Sequence, residues 1–537
     1  MLLIYPPVAK ISEPPPGVAL LAGSLEANNI HCKVVDANIQ AMLWLAKSAS
    51  YNDNWSKRAI TNLDRNIFEL KDIALYKNME RYRQRVIDFN RAINIAPNRR
   101  FNISLSDYTD YKLTPLKSED LLISAQSYRE NPFYPFFESQ LSKIIENYSN
   151  NLKEFPTQDK QYSNEVKRYS PDYIGISLCY LSQALTAFAL VGWIKKQFPK
   201  SKIIMGGGLV TSWMSMPTWS NPFKGLIDYM VKGRGEEAVV NLCRQGTEKN
   251  KIYQPEYTPN FDFSEWEQYI APGRILPLRT SSGCYWNRCR FCPEKAEGNL
   301  YKPEKSSKLL DNIQYLVNKY HPSYIHFIDD AISPSFLKSL INQGAANQGA
   351  DSSLQEPKFE WYGFLRFTKE LADPDFCNAL YRSGCRLLKL GLESGEQAVL
   401  DRMEKGTDLN LASNILKCLK KAGIHTYIYL LFGTQFEDET DAEETLDYVA
   451  THSNEISFIN IAIFNLPRFS EDAATLETSL FSEGDLSLYL NFKHPKGWDR
   501  KKVRLFIERK FKKHSEIRKI LKNDPPFFTS NHAMFMI

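Results

Sequence analysis

Short apolar runs alternate with amphipathic helical patterns along two separate parts of the chain. In the first part, the apolar runs are bounded by glycine, proline and polar residues, which is typical of buried strands. The predicted strands are residues 2–5, 31–36, 173–178, 202–205 and 226–231, and the predicted helices are residues 18–27 and 183–197. This order predicts an α/β, doubly wound (Rossmann-like) sheet, whose ligand crevice lies beyond the carboxyl ends of its strands.

The second alternating part begins at residue 274, and its predicted strands are residues 274–280, 323–330, 359–367, 387–394 and 426–433. Leu411, Ile415 and Leu419 recur at helical spacing before Gly423, which predicts a helix over residues 409–422. Strands that alternate with helices of this length predict a parallel sheet, with its chemistry at the carboxyl ends of the strands. The polar residues at these ends are Asp329, Asp330, Arg366, Glu393 and Ser394.

Three cysteines, Cys284, Cys289 and Cys292, follow the first strand of this second part within nine residues. Three thiolates at this spacing can hold a four-iron cluster and leave one iron open for a small molecule. Two other interpretations are buried free cysteines, which are usually scattered, and a zinc knuckle, which needs a fourth ligand. His321 and His326 lie beyond the usual knuckle spacing. The pattern therefore favours an iron-sulfur cluster and an enzyme.

The C-x4-C-x2-C motif, with Phe291 before its last cysteine, resembles the cluster motif of the radical S-adenosylmethionine (SAM) superfamily. The usual form there is C-x3-C-x2-C, so the spacing between the first two cysteines is one residue longer in this chain. The resemblance implies a partial (β/α)6 barrel, a [4Fe-4S] cluster held by Cys284, Cys289 and Cys292, and SAM as a cofactor.

Residues 391–395 and 403–406 are similar to the SAM-contacting stretch of that superfamily. SAM carries an amine, a carboxylate and two hydroxyls, for which a carboxylate, a hydroxyl and a cation are suitable partners. Each of these side chains can also be an ordinary polar group on a loop or helix. The implied cofactor-binding residues of this part are Glu393, Ser394, Arg366, Lys405 and Asp330.

The first part resembles the cobalamin-binding domain of the cobalamin-dependent radical SAM enzymes. The resemblance rests on the run 14–22, the triple glycine 206–208 and the Gly-Arg-Gly-Glu turn 233–236. No Asp-x-His-x-x-Gly loop is present, so the resemblance implies binding without a lower histidine ligand. The alternative is a scaffold that binds no corrin. The implied cobalamin-binding residues are Gly206, Gly207, Gly208, Gly233, Gly235 and Glu236.

The pattern predicts four regions along the chain. They are a cobalamin-binding-like domain (1–245) with a helical insertion (about 41–170), a linker (246–273), a radical SAM domain (274–460) and an α-rich C-terminal extension (461–537). An insertion of the length of 41–170 is too long for a bare loop, so helices such as those predicted over 67–82 and 136–148 are expected in it.

Charge, apolar runs and cysteine usage indicate the cellular environment in which the protein works. The net charge is +5, and the twelve Lys or Arg residues of 496–522 against three acids are more typical of a solvated helix face than of a nucleic-acid site. No apolar run approaches the length of a bilayer span, and Pro6, Pro7 and Lys10 interrupt any leader. Nine scattered cysteines do not suit a disulfide scaffold, and a cluster requires a reducing compartment. We expect a cytoplasmic protein.

The leading hypothesis is a cobalamin-dependent radical SAM enzyme that methylates an unactivated carbon through a 5′-deoxyadenosyl radical and methylcobalamin. One alternative is a rearrangement or hydrogen abstraction with a vestigial or non-methylating cobalamin domain. Another is a non-catalytic iron-sulfur sensor or interaction protein. The expected partners of the enzyme are a small-molecule or peptide substrate and an external electron donor of the flavodoxin or ferredoxin type, without a membrane span, and nucleic acid is not expected.

Overall fold

The computed structural model describes residues 1–51, 53–151, 171–244, 252–346, 359–526 and 532–535. The last part of the predicted insertion (152–170), the first part of the predicted linker (246–251) and some terminal positions of the predicted extension lie outside these residues. The chain divides into two compact units. The N-terminal unit is Met1–Lys71, Gln84–Ile270 and Glu483–Ser487, and the barrel unit is Asp72–Arg83, Ala271–Ser482 and Leu488–Ile537.

A five-stranded parallel sheet organises the N-terminal unit, in the order β2-β1-β5-β6-β7. Residues of β1 are buried throughout, as expected for a strand that helices cover on both faces. The separate pair β3 and β4 is antiparallel. The strands are β1 Leu2–Tyr5, β2 Lys33–Asp36, β3 Phe101–Ile103, β4 Tyr108–Asp110, β5 Tyr173–Ser177, β6 Lys202–Gly206 and β7 Tyr229–Met230.

Helices fill most of the connections between these strands, and the described part of the stretch between β2 and β5 is largely helical, as predicted for the insertion. Pro16 occupies the first helical position of α1, where the missing N–H of proline costs no hydrogen bond. The helices up to residue 244 are α1 Pro16–Ala27, α2 Ala37–Lys47, α3 Asn54–Thr61, α4 Leu63–Glu69, α5 Ile73–Tyr76, α6 Met79–Ile95, α7 Ser118–Gln126, α8 Tyr134–Phe136, α9 Ser142–Asn151, α10 Leu181–Gln197, α11 Gly208–Ser215 and α12 Glu236–Arg244.

A six-stranded parallel sheet forms the wall of the barrel unit, and its order β15-β14-β13-β12-β11-β8 follows the chain. This is the topology of a partial (β/α) barrel. The strands of the unit are β8 Ile275–Leu278, β9 Ser281–Ser282, β10 Lys302–Pro303, β11 Tyr324–Phe327, β12 Glu360–Leu365, β13 Cys385–Glu393, β14 His425–Phe432, β15 Phe458–Ile463, β16 Leu466–Pro467, β17 Thr478–Leu480 and β18 Tyr489–Phe492.

The helices of the barrel alternate with its strands. Helix α18 has the bounds that the sequence predicts, because Asp408 accepts a hydrogen bond from the Leu411 N–H at its start and Gly423 ends it with φ 82°. None of the described helices is long and apolar enough to cross a bilayer. The helices are α13 Pro293–Ala296, α14 Ser306–Tyr320, α15 Pro334–Ala346, α16 Pro374–Arg382, α17 Gln397–Arg402, α18 Leu409–Ala422, α19 Glu439–Thr451, α20 Arg500–Arg509 and α21 Ser515–Leu521.

The predicted fold class is confirmed, with two additions. The sixth barrel strand is β15, which the sequence pattern did not predict. The C-terminal extension contains, besides α20 and α21, a three-stranded antiparallel sheet of β16, β18 and β17. The strands of this small sheet are too short to show the alternation of apolar and polar residues by which a sequence indicates a strand.

Candidate functional site

The three-cysteine loop follows β9 and ends at α13. Cys289 is buried, Cys284 and Cys292 are partly buried, and all three are free thiols. Gly283 has φ 67°, and a side chain there would place Cβ 2.8 Å from the Leu300 carbonyl oxygen. The residue before Cys284 must therefore be glycine for the loop to take this path.

Three thiols in one loop are the donor set that an iron-sulfur cluster requires. No three His, Cys, Asp or Glu side chains converge as a single-ion site in the part of the chain that the structure describes. Burial raises the pKa of the Cys289 thiol, and the charges of Lys405 and Arg366 act in the opposite direction. These two cations would favour thiolates at this position.

Arg366, at the end of β12, connects the loop to the 403–406 segment. Its Nη1 lies 3.8 Å from Cys289 Sγ, and its Nη2 donates a hydrogen bond to the Lys405 carbonyl oxygen. The guanidinium carbon lies 4.3 Å from the ring centre of Trp286. Trp286 Nε1 in turn donates to the Glu404 carbonyl oxygen at 2.9 Å. The structure thus brings Cys289, Arg366 and Lys405 together.

Glu393 and Lys405 form a buried ion pair, with Lys405 Nζ 2.8 Å from Glu393 Oε1. Both residues are less than a tenth exposed. Glu393 ends β13 with φ 70°, in the left-handed region that is rare for a residue with a side chain. Strained backbone of this kind is concentrated at functional sites, so the pair is the strongest candidate for binding a polar ligand.

Two residues of the predicted cofactor set lie outside this group. Ser394 is fully buried, its Oγ lies 3.2 Å from Thr445 Oγ1, and it accepts a hydrogen bond from the Glu396 N–H. Asp330 is an exposed residue. Its carboxylate is nevertheless partly desolvated, which is the main reason why its pKa is raised to about 7. The negative charges of Glu294 and Asp329 also contribute to this rise of the pKa. Contacts of Ser394 and Asp330 with a cofactor stay predictions.

Asp329 holds the ends of β8 and β11 together. Its carboxylate accepts hydrogen bonds from the Thr280 N–H, the Thr280 hydroxyl at 2.8 Å and the Ser281 hydroxyl at 2.8 Å. Because Ser281 lies three residues before Cys284, Asp329 positions the start of the cysteine loop. These hydrogen bonds give Asp329 a structural role, and we do not propose it as a ligand.

In the N-terminal unit, the strand order reverses between β1 and β5, which is where a doubly wound sheet binds its ligand. Gly207, between β6 and α11, has φ 111°, and a Cβ there would lie 2.4 Å from the Leu178 carbonyl oxygen. Gly206 ends β6 and Gly208 begins α11. The glycine turn therefore lies at the carboxyl edge of the sheet, beside the end of β5.

The second predicted glycine turn, residues 233–236, has free space beside only one of its two glycines. Gly233 has φ 71°, and a Cβ there would meet no described atom within 4 Å, whereas a Cβ at Gly235 would make ordinary contacts. Glu236 is buried and accepts a hydrogen bond from the Tyr257 hydroxyl at 2.8 Å. His31, which precedes β2 at the opposite edge of the sheet, stacks on Tyr148 at 5.5 Å. His31 therefore lies at the amino edge of the sheet, and the predicted glycine turns lie at its carboxyl edge.

Comparisons with known proteins extend these observations. No protein-family model matches the chain. An uncharacterized methyltransferase of Pyrococcus horikoshii is 23% identical over 311 residues, which cover 53% of this chain and 65% of that protein. An anaerobic magnesium-protoporphyrin IX monomethyl ester cyclase of Rubrivivax gelatinosus is 23% identical over 41% of this chain and 44% of its own length. The chain thus spans less than two thirds of these relatives.

Among solved structures, the radical SAM methyltransferase TsrM of Kitasatospora setae, with tryptophan and a SAM analogue bound, matches with a TM-score of 0.50 and 13% identity. The match covers 87% of this chain and 74% of that one. The chain has a radical SAM fold. The predicted resemblance to the cobalamin-dependent radical SAM enzymes is confirmed at the level of the fold.

Some residues of this radical SAM fold were not singled out by the sequence. Arg290, next to Cys289, donates to the Asp472 carboxylate, and its guanidinium lies 4.9 Å from the Phe436 ring centre. A cavity of about 130 Å³ lies beside it, lined by Arg290, Lys295, Ala296, Phe469, Ser470 and Glu471. Asp472 lies far along the chain from the cysteine motif, so no sequence spacing indicates the pair.

Gln183 is the corresponding omission in the N-terminal unit. It is fully buried, its Oε1 accepts hydrogen bonds from the Cys179 and Tyr180 N–H groups, and its Nε2 donates to the Pro6 carbonyl oxygen at 2.7 Å. It therefore joins the turns that follow β1 and β5. Tyr180, in the turn after β5, and Leu181, the first residue of α10, are 53% and 40% exposed. Exposed apolar residues beside a ligand crevice are candidates for ligand contact.

Proposed function

We propose that the chain is a cobalamin-dependent radical SAM enzyme that methylates an unactivated carbon. The observation that carries the proposal is that Arg366 joins Cys289, in the loop of three free cysteines, to the segment of the buried Glu393–Lys405 pair. The methyltransferase names of relatives and of the structural neighbour support methyl transfer.

The residues that carry the proposal have the following roles. Cys284, Cys289 and Cys292 would hold a [4Fe-4S] cluster, and Glu393 and Lys405 would bind the polar ends of SAM. Arg366 would offset the negative charge at Cys289. When bound, cluster and SAM supply one electron and a 5′-deoxyadenosyl radical, and cobalamin supplies the methyl group. In the N-terminal unit, Gly206, Gly207, Gly208 and Gly233 would let the corrin approach the backbone, and Tyr180 and Leu181 would contact its apolar faces.

A non-methylating reaction is the second candidate, because the Rubrivivax relative is named a cyclase. It would use the same cysteines and the same Glu393–Lys405 pair and would differ in the product. A sensor without turnover is the third candidate.

Production of 5′-deoxyadenosine from SAM separates an enzyme from a sensor. We expect the anaerobically reconstituted protein, reduced with dithionite, to release 5′-deoxyadenosine, and the Cys289→Ser variant to release none. A Cys418→Ser variant is the matched control, because Cys418 is a buried thiol of α18 outside the loop. Liquid chromatography with mass detection measures the product. Equal yields from Cys289→Ser and the wild type would contradict the proposed role of the loop.

A further inference from the structure

Trp286 connects the cysteine loop to the segment that carries Lys405. It lies between the first two cysteines of the loop. Its Nε1 donates a hydrogen bond to the Glu404 carbonyl oxygen at 2.9 Å. Its ring lies against Gly406, where a Cβ would come within 2.2 Å of the ring atom Cζ2. Trp286 therefore contacts the residues on both sides of Lys405.

Two guanidinium groups pack on the Trp286 ring. The guanidinium carbon of Arg366 lies 4.3 Å from the ring centre, and that of Arg288 lies 5.0 Å from it. Arg366 is 5% exposed, whereas Arg288 is an exposed residue. The attraction between a cation and an aromatic face is stronger when the cation is desolvated. The ring therefore holds the buried Arg366 more firmly than the exposed Arg288.

The position of Arg366 matters for the cysteine loop. Its Nη1 lies 3.8 Å from Cys289 Sγ, and its Nη2 donates to the Lys405 carbonyl oxygen. Arg366 and Cys289 are both less than a tenth exposed, so water screens the charge only weakly. Hydrogen bonds to the sulfurs of an iron-sulfur cluster and the net charge around it shift its reduction potential. Because reduction adds a negative charge, a cation at Cys289 favours the reduced cluster.

We propose that Trp286 is a positioning residue that fixes the Arg366 guanidinium on Cys289 and thereby raises the reduction potential of the cluster. The inference rests on the proposed function, since it requires a cluster at the three cysteines. The contacts of Trp286 with the 404–406 segment serve the same purpose, because this segment provides the carbonyl oxygen that anchors the guanidinium. Trp286 thus acts through Arg366, and its effect on the potential depends on that residue.

Spectroelectrochemical titration of the reconstituted protein measures the reduction potential of each variant. We expect Arg366→Met to lower the ratio of reduced to oxidised cluster at a fixed potential by at least about tenfold, which corresponds to about 59 mV for one electron. Trp286→Leu removes the aromatic ring and Nε1 and should lower this ratio by at least about threefold. Trp286→Phe keeps an aromatic face for Arg366 and should stay within about twofold of wild type.

The double variant shows whether Trp286 acts through Arg366. Trp286→Leu combined with Arg366→Met should have the potential of Arg366→Met alone, because a residue that acts only by placing Arg366 has no effect once Arg366 is gone. A tryptophan with a merely structural role would shift the potential independently of Arg366. Additive shifts in the double variant, or an unchanged potential in either single variant, would overturn the proposal.

Trp55→Leu is the matched control, because Trp55 makes the same kinds of contact in the N-terminal unit. Its Nε1 donates to the Asp88 carboxylate at 3.0 Å, and the Arg91 guanidinium carbon lies 4.6 Å from its ring centre. Loss of this tryptophan should leave the reduction potential of the cluster unchanged. Equal shifts in Trp55→Leu and Trp286→Leu would show a general effect of tryptophan loss and would also overturn the proposal.

A second readout needs no cluster. Hydrogen exchange with mass detection in the cluster-free protein measures local opening of residues 403–406. Exchange there should be faster in Trp286→Leu than in wild type by at least about threefold and unchanged in Trp55→Leu. If Trp286→Leu assembles no cluster, the potential of Arg366→Met and this exchange measurement decide the proposal.

The two readouts separate this inference from the proposed function. If the wild-type protein holds no cluster after reconstitution, both proposals fall. If it holds a cluster and exchange at 403–406 is the same in Trp286→Leu and wild type, only the role of Trp286 falls.

Discussion

The Glu393–Lys405 pair shows how much the site depends on single side chains. Both side chains are buried, so water cannot solvate either charge if its partner is removed. Removal of one partner from a buried ion pair typically costs roughly 3–5 kcal/mol, because the remaining charge is left desolvated. The same charges are what would recognise the amine and carboxylate of SAM. Stability and ligand binding are therefore coupled at this pair.

We expect Glu393→Gln to lower the free energy of unfolding by a few kcal/mol, within the range of about 3–5 kcal/mol for a broken buried pair. Combining it with Lys405→Met should restore much of that stability, since no unpaired charge remains, but should not restore SAM binding. Thermal unfolding and equilibrium dialysis with labelled SAM measure the two effects.

The matched control for this prediction is Glu360→Gln, which breaks the Glu360–Arg386 pair at the other end of the barrel strands, where the two side chains are 23% and 15% exposed. Its cost should be smaller than that of Glu393→Gln, because both side chains of this pair keep some contact with water, and SAM binding should be unchanged. SAM binding by the double variant at wild-type affinity would show that the pair has only a structural role.

At the scale of elements, Glu437 ties the end of β14 to the segment before α20. One carboxylate oxygen accepts hydrogen bonds from the Gly433 N–H and from Trp498 Nε1 at 2.9 Å, and the other has no partner among the described residues. Burial raises the pKa of Glu437 from 4.5 to about 8. The carboxyl group is therefore protonated in the folded protein at neutral pH.

This pKa makes the stability of the barrel unit depend on pH. Between about pH 4.5 and 8 the folded state binds a proton that the unfolded state has released, so stability falls as the pH rises through this window and is constant above it. Glu437→Gln cannot ionise, so its stability should lack this dependence on pH. We expect the variant to be more thermally stable than wild type at pH 8 but not at pH 5. Melting temperatures at both pH values measure it, and parallel pH curves for the two proteins would contradict it.

Elements were predictable where local chemistry marks both ends. Asp408 and Gly423 bound α18, and the apolar runs of β1, β5 and β6 are complete within one strand. The small sheet of β16–β18 was not predictable, because its strands are two to four residues long. The cysteine loop was predictable from spacing, whereas the Arg290–Asp472 contact depends on tertiary packing between distant segments.

On the scale of the whole molecule, two compact units each carry one candidate cofactor site. The barrel unit has the cysteine loop with Arg366, Glu393 and Lys405, and the N-terminal unit has the glycine turn at 206–208 beside the β1–β5 switch point. Because iron would bind to one unit and cobalt to the other, metal content can test the two sites independently.

The most direct test is the iron and cobalt content of the protein after anaerobic reconstitution with iron and sulfide, addition of hydroxocobalamin and desalting. We expect about four irons per chain, as one [4Fe-4S] cluster requires, with stoichiometric cobalt. The triple variant Cys284→Ser, Cys289→Ser, Cys292→Ser should lose iron and keep cobalt, and Gly207→Ala should lose cobalt and keep iron. Iron without cobalt in the wild type would contradict the cobalamin site, and a wild-type protein that holds no cluster would contradict the central claim.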